Sequence, residues 1–493
     1  MSSGQAGLPV FAPRPGANRG TRACLPFALL DWAGMPIRRI VAGAFFAALI
    51  CVSLPALSRP PRTEAPATRS ALQQAPARQT PPPSATPSAT EPIRGYTLPP
   101  DKYREAVAYS NAQNWLYFAG FAYGLGMLLL VLAWRLAPRY RDWAERSTRH
   151  RLGQAAIFVP LIFFTLALLD IPIDVAGEWI ELRFHLSIEP WGAWFWDWTK
   201  AELLTCLLGI VLVWILYGAI RRSPRRWWLY FWLALLPILC FLIFLSPYVI
   251  EPLFFRYQPL AKSDPALVAE LEKVSAHAGV PIPPTRMFLM RASSKTTALN
   301  AYVSGFGASK RVVVWDTTIA KMTTPEIAFV FGHEMGHYVL HHIFQGMLIG
   351  ALGLLVLFRL GYLALGWTLR RWGARWSIRA VDDWASLPVL WLWLSIFIFL
   401  ASPMNNAVSR HFEHQADTFG LEVVHGVIPD SSQVAARAFQ ILGEQDLSNP
   451  RPNPFIVFWL YSHPPIPARV QFALHYDPWA PGRHPRYVGA PRP

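Results

Sequence analysis

The chain has 493 residues, of which 53% are apolar and only 15% are charged, and its formal net charge is +15. This composition excludes an ordinary multidomain soluble protein and is typical of a polytopic membrane protein with one modest soluble part. A basic chain can also bind nucleic acid. Here the arginines cluster in short loops between apolar segments, and no recognition motif accompanies them. We therefore expect no nucleic-acid partner and a lipid bilayer as the counter-charged surface.

The first hundred residues differ in composition from the rest. We interpret residues 1–57 as an N-terminal extension with a signal peptide or signal anchor, because Arg38 and Arg39 precede an apolar run over 40–57. Met35 is an alternative start of the chain. Residues 58–104 are rich in Pro, Ala, Thr and Ser and are predicted to be a linker, since such a sequence cannot form a packed core.

Six apolar stretches follow, each of about 19 to 24 residues, which is enough to cross a hydrocarbon layer of about 30 Å. The first four define a predicted N-terminal transmembrane domain, 105–247. The other two lie inside a predicted zinc metallopeptidase domain, 248–475, which a basic Pro-rich tail, 476–493, follows. The six stretches lie near 115–134, 155–175, 202–220, 227–247, 343–366 and 385–403.

Three arginine-containing loops, 135–151, 221–226 and 370–379, fall on one side of the membrane if all six stretches cross it. Short positively charged loops stay in the cytoplasm. We therefore expect a multi-pass protein of a bacterial inner membrane. Its soluble part would lie on the opposite side and face the periplasm or the exterior.

The segment from His333 to His337 reads HExxH. Residues four apart share one face of a helix, so two imidazoles can bind one metal ion. Glu334 lies beside them and is placed to take a proton from water. Short β-like runs at 286–290 and 311–315 precede this segment, and Thr323-Thr324-Pro325-Glu326 predicts a capped helix start. Strands that lead into an HExxH helix are the arrangement of a zincin.

These patterns predict a mainly α fold, a polytopic transmembrane helical bundle with an inserted zincin-like α+β catalytic domain. A third β-like run is expected at 300–303, with a turn at Gly305-Phe306-Gly307 after it.

A catalytic zinc ion needs a third protein ligand. His341 and His342 follow on what the pattern predicts to be one continuous helix. Because eight residues of helix span about 12 Å, His341 should not reach the ion, and we place both histidines at the surface or around the ligands. His342 is able to line the site. Glu413 is the better candidate, with Asp417 one turn later to accept the N–H of a ligand histidine. A solvated helix face with scattered charge remains the alternative for this segment.

These residues occur together with further motifs along the chain. Their order resembles that of the type I CAAX prenyl protease family, which are integral-membrane zinc metallopeptidases, over about residues 105–475. This family usually has glycine where the chain has His185. The motifs are Glu181-Leu182-Arg183-Phe184, Glu251-Pro252-Leu253-Phe254, Asn300-Ala301-Tyr302, Lys310-Arg311-Val312 through Asp316-Thr317, His333 to His337, Glu413 with Ala416 and Asp417, and Ser462-His463-Pro464-Pro465-Ile466 with Arg469.

The resemblance implies a helical transmembrane chamber that encloses one Zn²⁺ per chain. It implies His333, His337 and Glu413 as the metal ligands. It also implies a polypeptide substrate, either lipid-modified or otherwise membrane-associated, that is cleaved near its C-terminus.

The resemblance assigns the stabilisation of the reaction's oxyanion to His463. Arg469 is expected to pair with a carboxylate, and Asn406 and Arg410 are assigned to the surroundings of the ligands. Asn300, Ala301 and Tyr302 resemble an edge strand that binds the substrate backbone. An ordinary edge strand is the alternative for these three residues, and a surface histidine is the alternative for His463.

The predicted function is thus that of a membrane-embedded zinc endopeptidase with Glu334 as the base. Two alternatives remain. One is a membrane-protein quality-control protease with no lipid requirement, which the sequence does not distinguish from a prenyl-protein protease. The other is a membrane chaperone or binding protein without catalysis, which the intact Glu334 disfavours.

Overall fold

The computed structural model describes residues 92–304 and 310–489. The predicted signal segment, the alternative start at Met35, most of the predicted linker, and the turn expected at Gly305-Phe306-Gly307 lie outside these residues.

Five helices in the described part of the chain are long and apolar enough to cross a membrane. A sixth apolar helix, α5, is shorter and continues into a π-helical turn. The prediction of a polytopic helical protein is therefore confirmed, with five of the six predicted stretches in helices of spanning length. The five are α1 (Pro100–Ala133), α3 (Arg151–Arg183), α4 (Trp191–Arg222), α10 (His342–Trp372) and α11 (Leu387–Val424), and α5 is Trp227–Leu245.

The outward faces of these helices are apolar, as contact with lipid requires. On α4, four large side chains at helical spacing are each more than 40% exposed. A continuous stripe of this kind would be unfavourable in water but matches the acyl chains of a bilayer. These side chains are Leu203, Leu207, Val211 and Trp214.

The three predicted arginine loops meet at one end of the bundle. The guanidinium group of Arg141 donates to the carbonyl oxygen of Ser377 at 3.1 Å and pairs with the carboxylate of Asp383 at 2.5 Å. The guanidinium group of Arg221 lies 4.4 Å from the ring centre of Trp384, next to this pair. Arginines from distant parts of the sequence thus form one polar layer.

The catalytic part is an α+β unit around a four-stranded sheet with the strand order β1-β2-β4-β3. Strands β2 and β4 are parallel, and the other two pairs are antiparallel. The three predicted strands are confirmed, whereas β1 was not predicted because three residues give no readable alternation. The strands are β1 (Tyr257–Pro259), β2 (Met287–Met290), β3 (Ala301–Ser304) and β4 (Arg311–Trp315).

Seven shorter α-helices accompany these elements and the HExxH helix, which is described below. Helix α2 belongs to the polar end of the bundle, where it carries Arg141, and the others belong to the catalytic part. They are α2 (Leu136–Ser147), α6 (Leu260–Ser263), α7 (Pro265–His277), α8 (Asp316–Lys321), α12 (Ser431–Gln445), α13 (Pro454–Leu460) and α14 (Ile466–His475).

The HExxH segment lies in helix α9, Thr324–Val339, which begins as predicted. The backbone N–H of Thr323 donates to the Glu326 carboxylate at 2.7 Å, and the Thr323 side chain completes the capping box. Pro325 stands in the first turn, where its missing N–H has no helical partner to lose. The helix start is therefore encoded locally.

The predicted continuous helix beyond the HExxH segment is wrong. Helix α9 ends at Val339, His341 takes a left-handed φ of 61°, and α10 begins at His342. No glycine or proline marks this break in the sequence. Histidine is among the residues that tolerate the left-handed region, and the His341 ring lies 2.8 Å from the Val339 carbonyl oxygen. The break turns His342 back towards the end of α9.

The last residues of the predicted linker lie against the catalytic part. The backbone N–H of Ile93 donates to the side-chain oxygen of Gln433 on α12 at 2.8 Å, and the Tyr96 hydroxyl donates to the Ser448 carbonyl oxygen at 3.0 Å. Helix α1 then begins at Pro100, inside the segment predicted as linker.

Candidate active site

Helices α9 and α11 approach each other closely at three glycines. A Cβ atom added at Gly336 would lie 3.0 Å from Cβ of Phe419, and one added at Gly420 would lie 3.0 Å from the backbone nitrogen of His333. Gly332 is similarly crowded. Because glycine has no side chain, the two helix axes approach more closely than larger residues would allow. This approach brings the side chain of α11 two turns before Gly420 into reach of α9.

That side chain is Glu413, and it completes a cluster with His333 and His337. The Nε2 atoms of the two histidines are 3.2 Å apart. Glu413 places Oε2 at 3.3 Å from Nε2 of His333 and Oε1 at 3.1 Å from Nε2 of His337. These three residues form the cluster in the described part of the chain that could hold a metal ion.

The donor atoms fit a tetrahedral zinc site. Bonds of about 2.0–2.2 Å in tetrahedral geometry separate neighbouring ligand atoms by about 3.3 Å. The three separations in the cluster, 3.1 to 3.3 Å, agree with this value. Two imidazoles and one carboxylate are also a ligand set of catalytic zinc sites, in which a fourth position stays open for water.

Asp417 and Arg469 support His333. Nδ1 of His333 lies 2.8 Å from Oδ1 of Asp417. The Arg469 guanidinium donates two hydrogen bonds to this carboxylate, at 2.9 and 2.6 Å. Asp417 is 1% exposed, so its charge needs such a partner. The observed contacts are those predicted for both residues, and they leave Nε2 of His333 to face the cluster.

The site attracts positive charge. Burial lowers the pKa of His333, but contacts with Asp417 and Glu413 outweigh burial and raise this pKa to about 10. Burial likewise lowers the pKa of His337, and the Glu413 charge raises it above its usual range. The same field that holds protons on these rings favours a divalent cation between them.

The site opens on one side. The side chains of His337 and His463 are 17% and 23% exposed, whereas that of Glu413 is 4% exposed. Glu334 follows His333 on α9 and is half-buried, while His333 is buried. Solvent and substrate can therefore approach past His337, His463 and Glu334.

His463 comes to the cluster from the loop before α14. Its Nε2 lies 3.4 Å from Oε2 of Glu413, and its Nδ1 lies 2.9 Å from the Ser462 hydroxyl. Pro464 and Pro465 follow it directly and restrict the backbone there. Of the predicted residues outside the metal cluster, His463 is thus one that the fold brings to it.

Asn406 and Arg410 contact the segment that precedes His463. The side-chain amide of Asn406 donates to the Trp459 carbonyl oxygen at 2.7 Å, and Arg410 donates to the Val457 carbonyl oxygen at 3.0 Å and to that of Tyr461. Both residues therefore anchor the segment that leads to His463. Their hydrogen bonds do not go to the three metal-cluster residues.

Strand β3, which contains two of the three predicted substrate-binding residues, is one of the two edge strands of the sheet. Among the described strands it pairs with β4 alone, and it packs on α9. Asn300 precedes it and exchanges backbone hydrogen bonds with the Thr318 hydroxyl at 2.8 Å. The Tyr302 hydroxyl donates to the Glu251 carboxylate at 3.2 Å, so the fold already engages this side chain.

The glycines that let α9 and α11 meet and the contacts of His342 were not predicted from the sequence. The signal for the first was present, because Gly332 and Gly336 are spaced four apart, as are Ala416 and Gly420. Small residues at this spacing permit close helix contact.

Comparison with known proteins decides the family. Residues 82–256 match the family described as CAAX prenyl protease N-terminal, five membrane helices, and residues 261–477 match peptidase family M48. A Bacillus subtilis (strain 168) protein described as an uncharacterized metalloprotease, YhfN, is 32% identical over 380 residues, covering 76% of this chain and 86% of that protein. The chain belongs to peptidase family M48.

More distant relatives agree with this assignment. A Homo sapiens protein named CAAX prenyl protease 1 homolog is 25% identical over 397 residues, and the match covers 70% of this chain and 80% of that protein. The crystal structure of S. mikatae Ste24p has the same fold, with a TM-score of 0.65 at 22% identity over 77% of this chain and 90% of that chain. The predictions of the family, of the fold and of a membrane metalloendopeptidase are confirmed. The alternative of a protein without catalysis is not supported.

Proposed function

We propose that this M48 member is a zinc-dependent endopeptidase that cleaves membrane-associated or lipid-modified polypeptides. The observation that carries the proposal is the convergence of His333, His337 and Glu413 at tetrahedral ligand separations, directly beside Glu334. A zinc ion held by these three ligands would supply Lewis acidity, which polarises a carbonyl group and makes water a nucleophile near neutral pH.

Glu334 is the proposed base. It takes a proton from the attacking water and delivers it to the nitrogen of the leaving amine. It neighbours His333 in the sequence, lies on the open side of the site, and its negative charge contributes to the raised pKa of His337. A carboxylate that is half-buried rather than sealed can accept and release this proton.

His463 is the proposed donor to the oxyanion that forms when water attacks the peptide carbonyl. Its Nε2 faces the same space as the ligand atoms, 3.4 Å from Glu413, and the hydrogen bond between Nδ1 and Ser462 fixes the ring. A preorganised donor of this kind stabilises the transition state more than the bound substrate.

Strand β3 is the proposed platform for the substrate backbone. An edge strand presents unpaired N–H and C=O groups, and an extended peptide can add to it as a further strand. Such pairing does not discriminate between substrate side chains, because it uses backbone groups alone. Selection among substrates is then left to the surrounding helices.

The proposed substrate class rests on the relatives and on the fold. The Homo sapiens and plant relatives are named CAAX prenyl protease 1 homologs, and the catalytic helix α11 continues from a membrane span. A site at the end of a membrane helix suits a peptide that a lipid or an apolar segment holds at the membrane.

We further propose that the zinc site faces the periplasm or the exterior. The three arginine loops meet at one end of the bundle, where short basic loops are expected to be cytoplasmic. Helix α10 begins at His342 beside the metal cluster and ends at Trp372 among those arginines, and its 31 residues correspond to about 46 Å. The cluster and the arginine loops therefore lie at opposite ends of a spanning helix.

Two experiments test these proposals. Metal analysis of purified protein should give about one zinc per chain, and Glu413→Ala should lose most of it, since two ligands hold zinc weakly. Full zinc in Glu413→Ala would contradict the ligand set.

The membrane orientation can be tested with a reporter that is active only outside the cytoplasm. It should be active at the C-terminus and silent when inserted within 221–226. The reverse pattern would place the site in the cytoplasm.

The lipid requirement needs a matched pair of substrates. Peptides of one sequence, with and without a C-terminal prenyl cysteine methyl ester, should be compared with an apolar membrane-spanning peptide that has no lipid. Faster cleavage of the lipid-bearing peptide supports the proposed substrate class. Equal rates for all three would favour a quality-control protease.

A further inference from the structure

The two histidines of the metal cluster are supported in different ways. Each presents Nε2 to the cluster, so each Nδ1 points away from it. Nδ1 of His333 meets the carboxylate of Asp417 at 2.8 Å. Nδ1 of His337 meets a second imidazole instead, at 3.1 Å from Nδ1 of His342.

His337, His342 and Gln415 form a chain of hydrogen bonds, and the position of each proton in it follows from the contact of His342 with Gln415. Nε2 of His342 lies 2.9 Å from the side-chain oxygen Oε1 of Gln415. An amide oxygen only accepts hydrogen bonds, so Nε2 of His342 carries the proton. Nδ1 of a neutral His342 is then bare and accepts from Nδ1–H of His337. His337 is left with a bare Nε2 directed at the cluster, which is the form that binds a metal ion.

Two helices, α10 and α11, fix the position of His342 in this series of hydrogen bonds. The left-handed turn at His341 ends α9 and places His342 in the first turn of α10, where it is 3% exposed. Its ring stacks on Phe412 at 4.6 Å between centroids, with the planes 10° apart. Phe412 and Gln415 stand on either side of Glu413 on α11. The helix that supplies the third ligand therefore also fixes His342.

We infer that His342 and Gln415 are positioning residues for the metal ligand His337. They hold its tautomer and ring orientation through an uncharged hydrogen-bond chain, where Asp417 and Arg469 hold His333 through a charged one. This inference rests on the proposed ligand set. The helix break at His341 is needed for this contact, because a continuous helix would carry residue 342 away from residue 337.

Zinc affinity is the measurement that tests the inference. His342→Phe keeps a ring against Phe412 but removes the nitrogen acceptor, and it should weaken zinc binding about 10- to 100-fold in competition with a chelator. His342→Gln supplies a carbonyl acceptor at the same position and should recover most of that loss. Gln415→Leu should weaken zinc binding less than His342→Phe does, because it removes the outer link only.

The control is His341→Asn, at the exposed neighbour in the left-handed turn, a conformation that asparagine also adopts readily. It should keep the zinc affinity of the unchanged protein. Thermal midpoints of the zinc-free proteins should agree across the set, whereas a general packing role for His342 would lower the midpoint of His342→Phe. The absorption spectrum of cobalt-substituted protein should change in His342→Phe and not in His341→Asn.

The outcomes distinguish a failure of the positioning role of His342 from a failure of the proposed ligand set. Unchanged zinc affinity in His342→Phe, or equal losses in His342→Phe and His342→Gln, would overturn the positioning role while leaving the ligand set intact. Full zinc binding in Glu413→Ala, measured alongside, would instead overturn the ligand set itself.

Discussion

The helices of the membrane bundle and the helices α9 and α11 pack with different kinds of residues at their contacts. In the bundle, large side chains fill the space between helices, as where Phe231 meets Phe358 with ring centres 5.2 Å apart. Even Gly209 of the bundle faces a side chain, the ring of Phe163. Between α9 and α11, Gly420 faces the backbone nitrogen of His333, and Gly336 lies against the backbone of Ala416 as well as Cβ of Phe419, whereas Gly332 meets the side chain of Val423 first.

The difference follows from what each region must do. Apolar contacts tolerate small shifts, because neighbouring side chains can repack at modest cost. Metal ligands tolerate deviations of about 0.2 Å. The catalytic contact therefore uses backbone packing, which is rigid, and the bundle uses side chains, which adjust. Substitutions at the site should affect function before stability, and substitutions in the bundle should do the reverse.

The largest effect is expected from Glu334→Gln. The change keeps the size of the side chain and removes no metal ligand, so zinc content and thermal midpoint should stay unchanged. Peptide cleavage should fall by about 10²-fold or more, because the proton acceptor is lost. The rate constant at saturating substrate, with zinc content measured on the same sample, checks this prediction.

The matched change in the bundle is Phe231→Leu, at a fully buried ring. It should lower the free energy of unfolding by about 1–3 kcal/mol and leave the cleavage rate within about threefold. Near-normal turnover by Glu334→Gln would reject the proposed base. A rate loss in Phe231→Leu as large as that in Glu334→Gln would remove the contrast between the two regions.

What the sequence could predict was governed by how local the determinants are. The capped start of α9 and strands β2 and β4 depend on adjacent residues, and they were predicted. The break at His341 was not, because it uses a residue that merely tolerates the left-handed region. Glu413 was assigned by motif order, since no local pattern tells which residue of α11 will face α9.

The particular contacts of Asn406 and Arg410 could not be predicted from the sequence for the same reason. Both lie on α11 with Glu413, but one to two turns earlier their side chains meet the segment before His463. The contact of His342 with Gln415 likewise depends on where α9, α10 and α11 meet. Positions along one helix follow from the sequence, whereas contacts between helices depend on tertiary packing.

The junction between the two regions should be more sensitive than either interior to the loss of one charge. Lys295, in the loop before β3, is 3% exposed and lies 2.7 Å from Asp197 of α4 and 3.7 Å from Glu189. Lys295→Met leaves the buried Asp197 and Glu189 side chains without their Lys295 partner, and it should lower the free energy of unfolding by about 3 kcal/mol. Thermal unfolding in detergent measures the change.

The control is Lys200→Met, which removes a partly exposed partner of the same Asp197 carboxylate at 2.7 Å. Lys200 is in part accessible to water and salt, which screen its charge, so the cost should be smaller, about 1 kcal/mol. Similar midpoints for Lys295→Met and Lys200→Met would show that the buried pair does not hold the junction together.

Glycine substitutions compare the two packing modes directly. Gly420→Ala would place a Cβ 3.0 Å from the backbone of His333, so the helices must separate by a few tenths of an ångström. We expect a loss of about 1–3 kcal/mol in stability and, since the ligands move apart, about tenfold weaker zinc binding. Gly218→Ala, on the exposed face of α4 with open space around it, should leave zinc binding unchanged and should not lower stability, because alanine is the better helix former. Unchanged zinc affinity in Gly420→Ala would mean that the cluster does not depend on the close approach of α9 and α11.

The smallest effect is expected at His185, in the turn that ends α3. Residue 185 has a φ of 60° and closes α3 with two hydrogen bonds: its own N–H donates to the Leu182 carbonyl oxygen at 3.2 Å, and the N–H of Leu186 donates to that of Glu181 at 3.0 Å. This pattern is the helix end that glycine favours. His185→Gly relieves about 1 kcal/mol of left-handed strain but adds freedom to the unfolded chain, so the net gain should be about 0.5 kcal/mol.

Cleavage should not change in His185→Gly, because this exposed side chain lies in the turn after α3 and the carbonyl oxygen that accepts from Thr297 is kept. Arg183→Gly, two residues earlier and still helical, serves as the reference, since glycine there can only lower stability. A slightly raised thermal midpoint in the first variant and a lowered one in the second would show that the backbone conformation at position 185 favours glycine. If both midpoints fell, the His185 side chain would have a stabilising contact that outweighs the strain.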